Sequence, residues 1–222
     1  MRRTRLTLIT AGLATVLLTA APSVVATGSP AVANQLATPT AGRDVPSPSE
    51  CTVELGTAED VLALVRDVAA TPGAVTSTAA SPTPFVPPSG EPADAATVAA
   101  VEAANRELLA CTNAYGFLGL VAVSTERHVR DVLARDVADG LTEEDFAGFL
   151  AATPEPSTPE QSVALVDVRD VTVLGDGRIG AVVVGDEPGV GEVTLYFIFA
   201  EERGRFLLDE QFELPSDETP EP

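Results

Sequence analysis

Apolar residues in this chain recur first at helical and then at strand spacing, and the period changes near residue 163. Val98, Val101, Leu108, Leu109, Cys111 and Tyr115 crowd one side of a helix predicted over about 95–115, with Asp94 as its N-cap. A short apolar stretch follows at 117–123. Ser124 or Thr125 then caps a second helix, which carries Val129, Val132, Leu133 and Val137 and ends at Asp139 and Gly140. Thr142 opens a third helix with Phe146, Phe149 and Leu150, which stops before Pro154, and a proline-rich loop fills 154–160. Beyond it, valine-rich segments predict strands at 163–174, 178–184, 192–201 and 205–214. Gly175, Asp176 and Gly177 carry a hairpin signal between the first two strands, 185–191 reads as a loop, and Arg203 and Gly204 turn the chain into the last strand. In 192–201, Val193, Leu195, Phe197 and Phe199 fall on one face and Tyr196, Ile198 and Ala200 on the other, so both faces call for cover. Phe206, Leu208 and Phe212 are expected on one face of the last strand. Three helices followed by four antiparallel strands, 94–214, make an α+β domain of normal single-core size.

The flanks have a different texture. Arg2, Arg3 and Arg5 precede an uncharged apolar run, 6–21, which is the pattern of a secretory signal peptide over 1–33. Small residues place cleavage at Ala26 or Ala33, with Ala33 favoured. The run is shorter than the roughly 20 residues of a spanning helix, so cleavage is favoured over an uncleaved anchor. General secretion is favoured over twin-arginine export because Arg5 and Thr7 fit the latter poorly. Residues 34–50 read as a flexible spacer and 70–93 as a Pro/Thr/Ala-rich linker, disordered or polyproline-like. Between them, 51–69 holds a short helical segment opened by a capping box at Thr57 and Asp60. The chain ends in an acidic tail, 215–222.

Charge and cysteine use sharpen this picture. After the signal, 33 acidic residues face ten arginines and no lysine, a formal charge of −23. That field repels nucleic acid and anionic lipid, so neither is expected as a partner, and no membrane attachment is expected after cleavage. Cys51 and Cys111 are the two cysteines, and in an exported chain a lone pair reads as a disulfide that staples 51–69 to the main domain. With one histidine and two oxidised cysteines, a metal site lacks ligands. No phosphate-cradling glycine loop is present, and no cofactor is expected.

Helices first, then an antiparallel meander, is an order that resembles the NTF2-like superfamily with its SnoaL-like domains. The resemblance rests on the helix 98–114 running into Gly116 and Phe117, and on Gly204-Arg205-Phe206-Leu207-Leu208-Asp209, which is similar to that family's terminal strand. It covers 94–214 and implies a cone: a curved antiparallel sheet wrapped around helices, with a pocket at its open end. Enzymes of the family place Asp with Tyr or His in that pocket, while other members bind ligands or dimerise without catalysis. No position here matches a family catalytic motif.

The residues that could line such a pocket are Tyr115, His128, Asp167, Arg169, Tyr196 and Asp209. His128, at the rim of an apolar stripe, is read as a surface or edge residue. Asp167 and Arg169 share a strand face, either lining the cone or forming an outward ion pair. Asp209 and Glu210 are expected on opposite faces of the last strand, which would turn one carboxylate inward, where Tyr115 or Tyr196 could complete an acid–base pair. The expected function is therefore that of an exported, non-catalytic NTF2-like domain that binds a small apolar ligand or a protein partner, with homodimerisation in view. The alternative is a SnoaL-like isomerase, dehydratase or hydrolase that uses an inward Asp with Tyr or His.

Overall fold

The computed structural model describes residues 44–71, 85–151, 156–158 and 160–214. The expected signal peptide, residues 34–43 of the spacer, residues 72–84 of the linker and the acidic tail lie outside the described residues. The elements run α1 (Ala58–Ala70), β1 (Gly90–Pro92), α2 (Ala95–Ala122), α3 (Glu126–Ala138), α4 (Glu143–Ala151), β2 (Ala164–Leu174), β3 (Ile179–Glu187), β4 (Gly191–Glu202) and β5 (Arg205–Glu213). The strands form one open antiparallel sheet in the order β1-β2-β3-β4-β5. The fold is α+β. The helical segment at 58–70 joins the three predicted helices, and β1 joins the four predicted strands.

Local chemistry explains the helix starts. At α1, Thr57 accepts from the Asp60 amide while the Asp60 carboxylate accepts from the Thr57 amide, so two orphan donors are satisfied reciprocally. Asp94 caps α2, and Thr125, rather than Ser124, caps α3. Gly116 (φ 54°, ψ −128°) breaks α2 where the sequence ends the first helix, and the apolar stretch beyond it is helical to Ala122. The chain folds back so closely at this break that a Cβ on Gly119 would lie 2.0 Å from the Cys111 carbonyl oxygen.

Two packed layers result. Val101, Leu108 and Cys111 of α2 meet Ile179, Ala181, Val183, Phe197, Phe199 and Leu208 on the inner face of the sheet. A second core joins Val65 and Val68 of α1 to Val129, Leu133 and Ala134 of α3 and Phe146 of α4. Each buried Val, Leu, Ile or Phe among them contributes about 1.5–3 kcal/mol relative to exposure. On the outer face, Tyr196, Ile198, Val182 and Leu174 are buried, with Phe85 stacked on Phe212 at 3.9 Å and tilted against Tyr196 at 5.6 Å. Both faces of β4 are covered, as its alternation requires.

Bulges account for the strands that do not alternate. In β2, register shifts after Leu165 and after Arg169 each insert an extra residue. Leu165, Val168 and Val171 can therefore all reach the core at intervals of three, with Asp170 taking up φ 54° at the second bulge. In β5, Phe199 pairs with Leu208 and Ile198 with Glu210, so Asp209 is the inserted residue. That insertion reverses the parity of the strand. Phe206 and Leu208 face the inner core, while Phe212 joins Tyr196 outside, which corrects the expectation of a common face.

The described parts of the segments read as spacer and linker, 44–50 and 85–92, dock on the domain. Asp44 pairs with Leu165 through two backbone hydrogen bonds, Pro46 is fully buried, and Pro48–Glu50 form a capped 3₁₀ turn. Gly90–Pro92 add a short edge strand to β2; the edge position is what lets a proline enter the sheet. The disulfide Cys51–Cys111 is present and ties the docked segment to α2.

Two glycine substitutions separate the tight break from an open helix face. Gly119→Ala must displace backbone and should cost about 1–3 kcal/mol or more. Gly148→Ala, in α4 with nothing within 4 Å, should gain up to about 1 kcal/mol. Thermal melts of the two variants should move in opposite directions.

Candidate functional site

The inserted residue of β5 is the centre of the main polar cluster. Asp209 is 5% exposed. The Thr125 hydroxyl donates to its Oδ1 at 2.8 Å, Arg127 Nε donates to the same oxygen at 3.1 Å, and Arg178 Nη1 donates to Oδ2 at 2.8 Å. Arg127 Nη2 also pairs with Asp209 Oδ2 and donates to Glu210 Oε1 at 2.7 Å, and Arg178 Nη1 pairs with that same Glu210 oxygen. Both carboxylates thus meet the same two guanidinium groups, which corrects the expectation that they lie on opposite faces. The bulge is the physical reason, because it breaks the alternation between neighbouring residues. Each partner comes from a different place: Thr125 and Arg127 from the start of α3, and Arg178 from the β2–β3 turn, where Asp176 also holds it.

Burial alone would raise the Asp209 pKa. The hydrogen bonds from Arg127, Arg178 and Thr125 outweigh burial and hold it at about 2. Glu210 is lowered in the same way, and both arginines are raised. At neutral pH this carboxylate neither gives nor takes a proton.

His128 corrects the expectation of a surface histidine, being 5% exposed in the first turn of α3. Its backbone amide donates to the Thr125 cap hydroxyl. Burial first, then the charge of Arg135, lowers its pKa from 6.5 to about 4. The charge of Asp209 acts on the His128 ring, and Ser124 bridges to Leu208, the residue before Asp209. Yet the described hydrogen bonds join the His128 ring to neither Ser124 nor Asp209, and the Ser124 hydroxyl is buried without a partner.

The other predicted residues lie elsewhere. Asp167 and Arg169 pair at 3.3 Å on the exposed edge region of β2, an outward ion pair of small energetic weight. The Tyr196 ring lies over Gly180 and against Phe85, and Tyr115 is half-buried just before the break in α2. Neither tyrosine is hydrogen-bonded to Asp209, whose described partners are Thr125, Arg127 and Arg178. Sequence reasoning missed Thr125, Arg127 and Arg178 as partners of Asp209. The one local signal was the valine-poor Leu-Asp-Glu-Gln run at 208–211, where alternation fails.

Two surface grooves lie apart from the Asp209 cluster. One, of about 480 Å³, lies between α2, the β4–β5 turn and the segment around Cys51. The other, of about 430 Å³, lies under the β3–β4 turn, where burial raises the pKa of Glu187. Among the described residues no group of three His, Cys, Asp or Glu could hold a metal ion, and no helix is long and apolar enough to cross a membrane. Neither a scan against protein-family models nor searches of curated proteins and of solved structures returned a match to this chain.

The pKa directions give two separate windows of acid sensitivity. Asp209 is depressed in the fold, so its stabilisation is complete above 3.8 and is lost as pH falls towards about 2. Asp209→Asn should lower stability at neutral pH by about 1–3 kcal/mol and flatten that limb. His128 is also depressed, so stability falls as pH drops from 6.5 towards about 4, where the unfolded chain takes up the proton. His128→Gln should remove the upper slope and leave the lower one. Urea midpoints followed by circular dichroism across this range resolve the two.

Proposed function

We propose that this chain is an exported, non-catalytic domain of NTF2-like form that works by binding a partner at its surface. The observation that carries the reading is the state of Asp209. It is the buried carboxylate of the predicted acid–base set, and two arginines hold it ionised at about 2. A general acid or base works best with a pKa near the operating pH. Among the described residues no hydrogen bond orients the ring of His128, whose pKa is about 4, as a catalytic imidazole requires. The helices-then-meander order supports the NTF2-like form, and the Cys51–Cys111 bond supports an oxidising compartment, in keeping with the signal-like N-terminus.

Carbon-detected NMR titration tests this directly. The Asp209 carboxyl should stay ionised to about pH 2 and His128 should stay neutral to about pH 4. Either group titrating between about pH 5 and pH 8 would overturn the non-catalytic reading and revive an isomerase, dehydratase or hydrolase.

A further inference from the structure

The groove beside Cys51 is built from three separate stretches of chain. Its floor is Ala100, Ala103 and Ala104 on one face of α2, together with Phe206 of β5. One wall is Glu50 and Thr52, the two neighbours of Cys51. The opposite wall is Glu201, Gly204 and Arg205, from the β4–β5 turn. The small floor side chains leave room for a backbone to lie close to the helix.

The walls are fixed before any partner arrives. The disulfide anchors Cys51 to Cys111, and Glu50 accepts from Arg106 Nε at 2.9 Å. Glu107 ties the two walls together, with Thr52 Oγ1 donating to one oxygen at 2.6 Å and Arg205 donating to the other. A preorganised groove loses little entropy on binding.

Its charge is unbalanced in one place. Glu50 and Glu107 spend both oxygens inside the protein. Glu201 lines the groove, is exposed, and its side chain makes no hydrogen bond or ion pair among the described residues. Arg106 neutralises Glu50 and Arg205 neutralises Glu107, so Glu201 is the uncompensated carboxylate of the lining, on a chain whose exported part carries −23. That field draws in cations over a distance, and the open Glu201 gives one of them a place to pair.

We infer that this groove docks an extended peptide segment of a basic partner protein, with small residues against the alanine floor and an Arg or Lys on Glu201. The inference rests on the non-catalytic binding reading and adds the partner's chemistry and its place of docking.

A fluorescent peptide of alternating alanine and arginine, titrated into the intact oxidised protein by anisotropy, provides the test. A glutamate counterpart serves as its control. Binding of the arginine peptide alone is expected. Glu201→Arg should weaken it by about tenfold or more, Ala103→Trp should block it by filling the floor, and Glu192→Arg, away from the groove, should leave it nearly unchanged. Equal loss in Glu192→Arg and Glu201→Arg, or full binding by Ala103→Trp, overturns the inference, because the peptide then reads overall charge. Equal binding of both peptides overturns the basic partner but keeps a peptide-binding surface. Binding of neither overturns the inference while the NMR titration of Asp209 still decides the non-catalytic reading.

Discussion

A buried carboxylate on an edge strand has to be neutralised, and the pairing of Asp209 with Arg127 and Arg178 is the constraint on which much of this fold turns. The partners come from the start of α3 and from the β2–β3 turn, so satisfying one charge joins three elements far apart in sequence. The backbone reinforces the junction: the Thr125 amide donates to Leu208, and the Leu208 amide donates to Val123. The outer edge of β5 is therefore closed at its middle by the chain entering α3, which protects an edge strand from pairing elsewhere. The same pairing spends the carboxylate electrostatically. A group held this firmly in its ionised form contributes to structure and is a poor proton carrier.

What could be read from the sequence, and what could not, follows from how far each effect reaches. The capping box at Thr57, the Asp94 cap, the break at Gly116 and the Gly175–Gly177 hairpin depend on residues within a few positions of one another, and all were legible. The disulfide was legible through chemistry, since two cysteines allow one pairing. The β-bulges were not. A period of two predicts Phe212 beside Leu208 and separates Asp209 from Glu210, and one inserted residue overturns both. Nothing in a single strand marks that insertion except weak alternation. His128 escaped for a related reason. An edge position on the helical stripe of α3 turned out to be covered by tertiary neighbours that the stripe cannot report.

The segment 44–71 shows how a piece too short to fold alone is held in place. The disulfide fixes Cys51 to α2, yet α1 has its own core with α3 and α4 and two cross-element ion pairs, Arg66 with Glu143 and Arg130 with Asp67. These pairs are exposed and weigh little. The apolar contacts of Val65 and Val68 carry more of the packing. The covalent bond acts on a different term, limiting the freedom of the unfolded chain across 60 residues of separation. Staple and core are therefore complementary: one restricts the unfolded chain, the other stabilises the folded one.

Both faces of the sheet are covered over its central strands. α2 fills the inner face and Phe85 packs on the outer one, so the buried residues of β3 and β4 offer no open side. One of the two grooves lies where separate segments meet at the rim. There the walls come from the docked N-terminal segment and the β4–β5 turn, and the floor from α2. In a chain this acidic, arginines are consumed by structural pairing: Arg106 holds the segment before α1, Arg127 and Arg178 hold Asp209, and Arg205 holds Glu107. Among the carboxylates left over, Glu201 faces outward, while Asp136 is buried and its pKa is raised by that burial. The imbalance that commits these arginines to structural pairs is the same imbalance that leaves the chain strongly acidic.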